Sequence, residues 1–379
     1  MKNSMADDHV MDAKQRRRYT LERKLPHNRD VRHNILRNLK GVVIHNAYTM
    51  REVRDNLQNQ MSILYIPPCS TESHWFIRRR GEIHVVNSRG VTRLERDKDQ
   101  AEELQKIVER AIPVTVLHYS DDHCQATHRF QDFAFKLVDE AFSQIDAQAL
   151  KREGKLTLIF GPHRSLPEKE LRNSMRGVND FLNYRIFHIA GNYTLSFDYS
   201  FADQAHNVLH QVYARLSARF PSIAVDLFHY GKIGALNPDL AIGDIGIPKS
   251  AMEESDILRG DVRSSAIHNQ WDGAALGTGG TTINSSSVLR QRRSTLEKCL
   301  QAGGDFIEME WSALAGVHQG LASKYPNLGR VRFYAAGIIS DKPLQGLTLA
   351  DTKYPEEQER KVAEYVIEQV KLNKISVSR

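Results

Sequence analysis

Between residues 156 and 373, short β-branched runs alternate with longer segments of helical spacing, and no other feature of this chain restricts its fold as strongly. Strand candidates fall at 156–160, 185–190, 193–197, 223–229 and 331–338, and helix candidates at 167–182, 203–219, 288–302, 310–324 and 355–373. This alternation predicts an α/β fold, a mixed central sheet flanked by helices, with ligands at the carboxyl ends of strands. Upstream, GVVIHN (41–46), MSILYI (61–66), 75–79, 82–86 and the run after Pro113 read as strands, and 49–59, 97–111 and 129–149 as helices. An additional N-terminal α/β domain is therefore expected. Lys151 to Lys155 is a short charged connector containing Gly154, which places a boundary near residue 150. The resulting division is a basic, flexible arm over 1–40, an N-terminal α/β domain of unassigned role over 41–150, and a second domain over 151–379.

The charge is unevenly placed. Lys and Arg number 52 against 46 Asp and Glu, a net +6. The first fifty residues carry that whole excess, with Arg16, Arg17, Arg18, Arg23 and Lys24 at its centre. Such a run can meet a polyanion, but no aromatic-interleaved or helix-turn-helix pattern accompanies it, so a solvated arm is favoured over nucleic-acid binding. No stretch reaches the roughly 18 uncharged apolar residues of a membrane span, so no membrane partner is expected. The three cysteines, Cys69, Cys124 and Cys299, form no CxxC pair and suggest neither a disulfide framework nor a zinc site. Met1 to Lys14 has no apolar core of a secretory signal, and the cytoplasm is the expected compartment. Sixteen histidines include no HExxH spacing, so neither a metal nor another cofactor is expected.

Four segments concentrate chemistry-bearing residues. Phe160-Gly161-Pro162-His163-Arg164 ends a strand candidate with a glycine turn and a guanidinium that could meet phosphate. Tyr230 to Asp244 (YGKIGALNPDLAIGD) opens a loop with Gly231, Gly234 and Gly243 after an apolar strand. Phe306 to Ala315 (FIEMEWSALA) punctuates a strand-to-helix passage with Glu308 and Glu310, and Ile338 to Gly346 (IISDKPLQG) places Asp341 at the end of an apolar strand. A Gly/Ser/Thr-rich tract, Gly273 to Ser287, reads as a loop bordering a site.

Taken together and in order, GKIGALNPDLAIGDIGIP, EMEWSALA and SDKPLQG resemble the purine nucleoside phosphorylase and nucleosidase superfamily, most closely its AMP nucleosidase branch. GTGGTTINSS is similar to the segment that lines the base pocket there, and the resemblance spans about residues 155–372. It implies a nucleoside phosphorylase-like fold, a homo-oligomer, and cleavage of a purine N-glycosidic bond. Asp341 would be the general acid that protonates N7 of the departing base, and Glu310 the carboxylate that accepts the ribose hydroxyls, with Met309 packed under the sugar. Gly231, Lys232, Gly234, His229, Arg164 and Ser286 would complete the substrate site, with Arg164, Lys232 and His229 around one dianion. Glu308, two positions before Glu310 on a strand, should face away and serve structure. The chain departs from the pattern in two places. His229 and Lys232 stand where phosphorylases place Arg and Ser, and the glutamate by which hydrolytic relatives activate water is missing near Gly161, leaving His163 or Glu168 as substitutes. The leading expectation is hydrolysis of an AMP-like purine nucleotide to free base and ribose phosphate. The alternatives are phosphorolysis of a purine nucleoside by inorganic phosphate and, in a different class, a non-catalytic nucleotide-binding regulator.

Overall fold

The computed structural model describes residues 8–25, 28–57, 61–65, 73–78, 81–89, 91–119, 123–178, 181–198, 202–271, 277–285, 291–349 and 356–373. Two sheets organise it. Strands β1 (Gly41–Asn46), β2 (Met61–Tyr65), β3 (His74–Arg78), β4 (Glu82–Asn87) and β5 (Val114–His118) lie in the order β2-β3-β4-β1-β5. β1 runs parallel to both β4 and β5, while β3 is antiparallel to β4 and β2. Helix Val91–Val108 makes the crossover from β4 to β5, and Leu94, Ala101, Leu104 and Ile107 bury its apolar stripe against Val42, Ile44, Ile83 and Val85.

The second sheet holds β6 (Lys155–Phe160), β7 (Met175–Gly177), β8 (Tyr184–Ile189), β9 (Asn192–Phe197), β10 (Ala224–Ala235), β11 (Ile245–Glu253), β12 (Ser265–Ala266), β13 (Thr278–Asn284), β14 (Phe306–Glu308) and β15 (Val331–Asp341). Its centre is parallel, β9-β6-β10-β15, covered by helices on both faces. That covering explains the near-continuous apolar runs of LTLIF and AVDLF, since strands buried on both sides have no polar face to show. Beyond this flat part the pairings β10-β15, β15-β11, β11-β13, β13-β14 and β14-β10 close into a ring of five strands. β10 and β15 are long because each serves first the flat sheet and then the ring.

The α/β class with an extra N-terminal sheet stands as the sequence predicts, and several details differ. Helix His123–Ser143 belongs to the second sheet's core: Phe130, Phe133, Ala134, Leu137, Val138 and Ala141 pack with Val208, Leu209 and Val212 of helix Ala202–Arg219. The change of core thus precedes residue 123 rather than falling near 150, because this stripe is complementary to the later helix. The helix expected over 167–182 is one short turn, Glu168–Leu171, followed by β7. The glycine-rich tracts expected as loops contribute the distal part of β10 and all of β13, with Gly234 and Gly280 fitting where a Cβ would collide with Ile307 and Phe306 of β14.

The described part of the arm is ordered as well. Helix Ala13–Lys24 opens with a capping box between Asp12 and Gln15, and helix Arg29–Asn38 follows. Ahead of them Val10 enters an apolar cluster with Leu236, Met252 and Leu296, while Asp8 accepts hydrogen bonds from the backbone and hydroxyl of Ser294. Arg16 reaches Glu103 at 3.5 Å and donates to the Met11 carbonyl at 2.6 Å. The flexible-arm expectation for 1–40 therefore fails for these residues: their apolar side chains and charges find partners on both sheets' layers.

A buried charge triad fixes the parallel centre. Asp226 on β10, 1% exposed, holds the Lys155 ammonium at 2.7 Å and the Arg332 guanidinium at 2.6 and 2.7 Å. Burial drives the Lys155 pKa down, and Asp226 opposes that shift. Asp226→Ala would leave two cations facing each other without a counter-charge, and should cost about 3–5 kcal/mol in a denaturant titration. An unchanged midpoint would show the triad to be dispensable.

Candidate active site

The flat sheet and the ring meet where β10 and β15 finish. Their register runs from Val225 opposite Val331 to Ile233 opposite Ile339, then slips so that Gly234 faces Asp341. On the other side of β10, Gly234 pairs with Ile307 of β14. A Cβ at Gly234 would lie 2.8 Å from Ile307 and 3.4–3.5 Å from both Asp341 oxygens. Glycine is thus required by the close approach of β14, and no β10 side chain stands at this point against the carboxyl group.

Asp341 is buried, with Ser340 Oγ donating to its Oδ1 at 2.8 Å. Ser340 Oγ also lies 3.2 Å from the Ile233 carbonyl, which keeps the hydroxyl beside the carboxyl group. Burial pushes the Asp341 pKa up to about 7, against the smaller opposing effects of the Ser340 hydrogen bond and the Lys232 charge. A carboxylic acid that keeps its proton near neutral pH is suited to donate it.

β14 leads directly into Glu310, the N-cap position of helix Trp311–Lys324. The Glu308 carboxylate accepts from the backbone N–H of Glu310 and, at 2.6 Å, of Trp311. It therefore satisfies the helix N-terminus, the structural duty expected of it. The side chain of Glu310, itself buried, is not needed as the cap. Asp341 thus ends one strand flanking β10, and Glu310 follows the other. Half-buried Met309 packs with Met11 and Tyr19 of the N-terminal segment.

The residues expected around a dianion divide between two faces. His229 and Lys232 are an odd number of positions apart on β10 and point oppositely. His229 lies edge-on to Trp311 with ring centres 6.5 Å apart, and burial lowers its pKa to about 3, so it is neutral. Half-buried Lys232 shares its face with Phe228 and Tyr230, where its charge acts on both Asp341 and Glu359. Arg164 follows β6 and pairs with Glu359 at 3.2 Å. Arg164 and Lys232 therefore meet at the buried Glu359, and His229, a neutral imidazole on the other face, does not join them. Gly231 is buried opposite Gly337 on β15. Ser286 lies outside the described residues. Of the two substitutes for the missing glutamate, Glu168 is exposed, and burial holds the pKa of His163 down at about 4, against the influence of Asp198.

Glu359 escaped the sequence reading. Its signal was present: it begins the stripe Glu359, Val362, Ala363, Val366, Ile367 and Val370, an acid where helical spacing calls for an apolar residue. Among the described residues no group of three or more His, Cys, Asp or Glu side chains is placed to hold a metal ion, and no helix is long and apolar enough to cross a membrane.

No protein-family model and no curated protein matches the sequence. Solved structures do. The similarity is to nucleosidases and nucleoside phosphorylases. A 5′-methylthioadenosine/S-adenosyl homocysteine nucleosidase of Campylobacter jejuni matches over 57% of this chain and 98% of its own, at 13% identity and a TM-score of 0.42. A purine nucleoside phosphorylase of Schistosoma mansoni matches over 64% and 95%, at 10% identity and a TM-score of 0.40. A uridine phosphorylase of the same organism, in complex with thymidine, matches over 62% and 92%, at 13% identity and a TM-score of 0.46.

The raised pKa of Asp341 has a consequence for stability. Between its ordinary value of 3.8 and about 7, the folded chain keeps a proton that the unfolded chain has released. Unfolding free energy must therefore fall as pH rises through that interval and level off above it. Asp341→Asn removes the titration, so its thermal midpoint should gain on the wild type from pH 4 to 7 and keep the gain at pH 8. A constant offset between the two proteins from pH 4 to 8 would show that Asp341 titrates normally.

Proposed function

We propose that this chain hydrolyses the N-glycosidic bond of an AMP-like purine nucleotide, releasing free base and ribose phosphate. The observation that carries the reading is Asp341: a buried strand-end carboxyl group, its pKa pushed up to about 7, beside Gly234 and across β10 from the strand that leads to Glu310. The ordered resemblance of GKIGALNPDLAIGD, EMEWSALA and SDKPLQG to nucleotide-cleaving nucleosidases supports the same assignment.

In this reading Asp341 donates its proton to N7 as the C1′–N9 bond breaks, so the bonding electrons leave on a neutral base rather than an anion. Glu310 accepts from the ribose hydroxyls, and its negative charge stabilises the sugar more as C1′ becomes cationic than in the ground state. Met309 packs beside the sugar under Met11 and Tyr19, which brings the basic helix Ala13–Lys24 to this side of the site. That placement supports a phosphorylated sugar over a plain nucleoside. Hydrolysis is supported over phosphorolysis by Glu359, whose carboxylate stands with Arg164 and within the field of Lys232, where it would repel a phosphate nucleophile.

The test is base release from a panel of purine nucleotides and nucleosides, with and without inorganic phosphate. Phosphate-independent release from nucleotides is expected. Phosphate-dependent formation of ribose 1-phosphate from nucleosides alone would establish the phosphorylase alternative, and binding without turnover the regulatory one. Asp341→Asn should lower kcat by about 10²–10⁴-fold while retaining the fold. Glu310→Gln should lower kcat more than it raises KM, because the lost interaction strengthens on the way to the transition state. Equal wild-type turnover of ribo and 2′-deoxyribo substrates would contradict the hydroxyl contact assigned to Glu310.

A further inference from the structure

The reaction just described also needs a group to take a proton from the attacking water; Glu168 is exposed and burial makes His163 a weak base, whereas Glu359 is a buried carboxyl group beside Arg164 and within the field of Lys232. It lies in the first turn of helix Glu356–Leu372, on the stripe that faces the sheet, and its side chain is 2% exposed. One carboxylate oxygen, Oε2, meets Arg164 Nε at 3.2 Å, and the other, Oε1, is buried without a hydrogen-bond partner. Helix Glu356–Leu372 packs Val362, Ala363 and Val366 against Phe228 and Tyr230 of β10, so Glu359, one turn earlier, sits by the carboxyl ends of β6 and β10. There the charged groups that act on it are Arg164 after β6, Lys232 on β10 and Asp198 after β9. The Lys232 charge acts on Glu359 and on Asp341 alike.

An apolar residue at this position would complete the stripe, and a carboxylate there costs desolvation. Arg164 returns part of that cost through one oxygen only. The second oxygen is the unsatisfied acceptor of a group built to receive a proton or a water molecule. Burial raises the Glu359 pKa, and Arg164 and Lys232 oppose the rise, so Glu359 is a stronger base than a solvated glutamate.

We propose that Glu359 is the general base of the hydrolysis, supplied by the last described helix instead of by the end of β6. This rests on the nucleosidase reading above. Water oxygen bonds to C1′ as the C1′–N9 bond breaks; one water proton passes to Glu359 Oε1, and the Asp341 proton goes to N7 of the base. The products are the free base and the ribose phosphate. Glu359 then returns its proton to solvent and Asp341 recovers one, so nothing beyond water is consumed. Arg164 is a positioning residue, holding Oε2 so that Oε1 faces the nucleophile.

The experiment compares the full-length wild type with Glu359→Gln and Glu359→Ala on the best substrate of the panel. Both variants should lose about 10²–10³-fold in kcat with KM within about threefold, and Glu359→Gln should lose the acidic limb of the kcat/KM profile while keeping the limb assigned to Asp341. Azide supplied to Glu359→Ala should enter the vacated space and give a ribosyl azide phosphate, restoring base release. A wild type that releases base without phosphate, alongside a Glu359→Gln variant of similar turnover and unchanged acidic limb, would overturn the base assignment and leave the nucleosidase reading intact. A folded Glu359→Ala that loses activity but shows no azide product, with its acidic limb unmoved, would reduce Glu359 to an anchor for Arg164. A wild type active only with phosphate, or inert across the panel, would instead overturn the nucleosidase reading and the proposal with it.

Discussion

The parallel pairing of β10 with β15 is the constraint on which the rest of the second domain depends. Both strands continue beyond the flat sheet, β10 to Ala235 and β15 to Asp341, and their distal parts recruit β11, β13 and β14 into a ring. One register, continuous to Ile233, thereby positions helices on the flat part and the Asp341 carboxyl group at the far end. Asp226 pins it near the start through Lys155 and Arg332. The slip at Gly234 near the end brings Asp341 opposite a residue with no side chain. A shift of one residue anywhere between these points would turn Asp341 to the other face, because side chains alternate along a strand. The buried triad therefore bears on the placement of a carboxyl group nine residues further along β15.

Small residues make this arrangement possible. Gly231, Gly234 and Gly337 lie on the two long strands, and at Gly337 a Cβ would come within 2.5 Å of Trp311. Trp311 is the first residue of the helix that Glu310 begins, so the same close approach that demands glycine on β15 fixes where that helix starts. Strands this poor in side chains would be weak alone. Here they are stabilised by their neighbours in the ring and by Ile233, Ile339, Phe306 and Trp311, which fill one apolar cluster.

This is also where the sequence misleads and informs at once. Alternating runs such as LTLIF and VRFYAAGII announce their strands because burial on both faces demands apolar residues throughout. The run GKIGA and the segment TGGTTIN carry a loop's composition and are strands nonetheless, since tertiary closeness, which has no local signature, decides their conformation. Asp341, Glu308 and Glu310 were legible because short motifs fix their order along the chain. The fate of Arg164 was not: its partner is nearly two hundred residues away, and no spacing rule links a turn after β6 to a helix after β15. His229 shows the converse error. A histidine next to a glycine motif suggests a ligand, but strand parity sends it to the opposite face from Lys232, against Trp311.

The N-terminal segment follows from the same physics of incomplete cores. Val10, Met11 and Tyr19 are apolar residues inside a strongly basic stretch, too few to form a core of their own and too many to remain in water without cost. They fill gaps left by the second domain, Val10 beside Leu236 and Leu296, and Met11 with Tyr19 beside Met309 and Leu349. Once these anchors dock, the basic residues between them can no longer occupy arbitrary positions, and Arg16 is held against Glu103. A solvated arm would have supplied the same charges with no preferred location. Docking thus gives a compositional bias a fixed place, through three apolar side chains and the Arg16 contacts to Glu103 and the Met11 carbonyl.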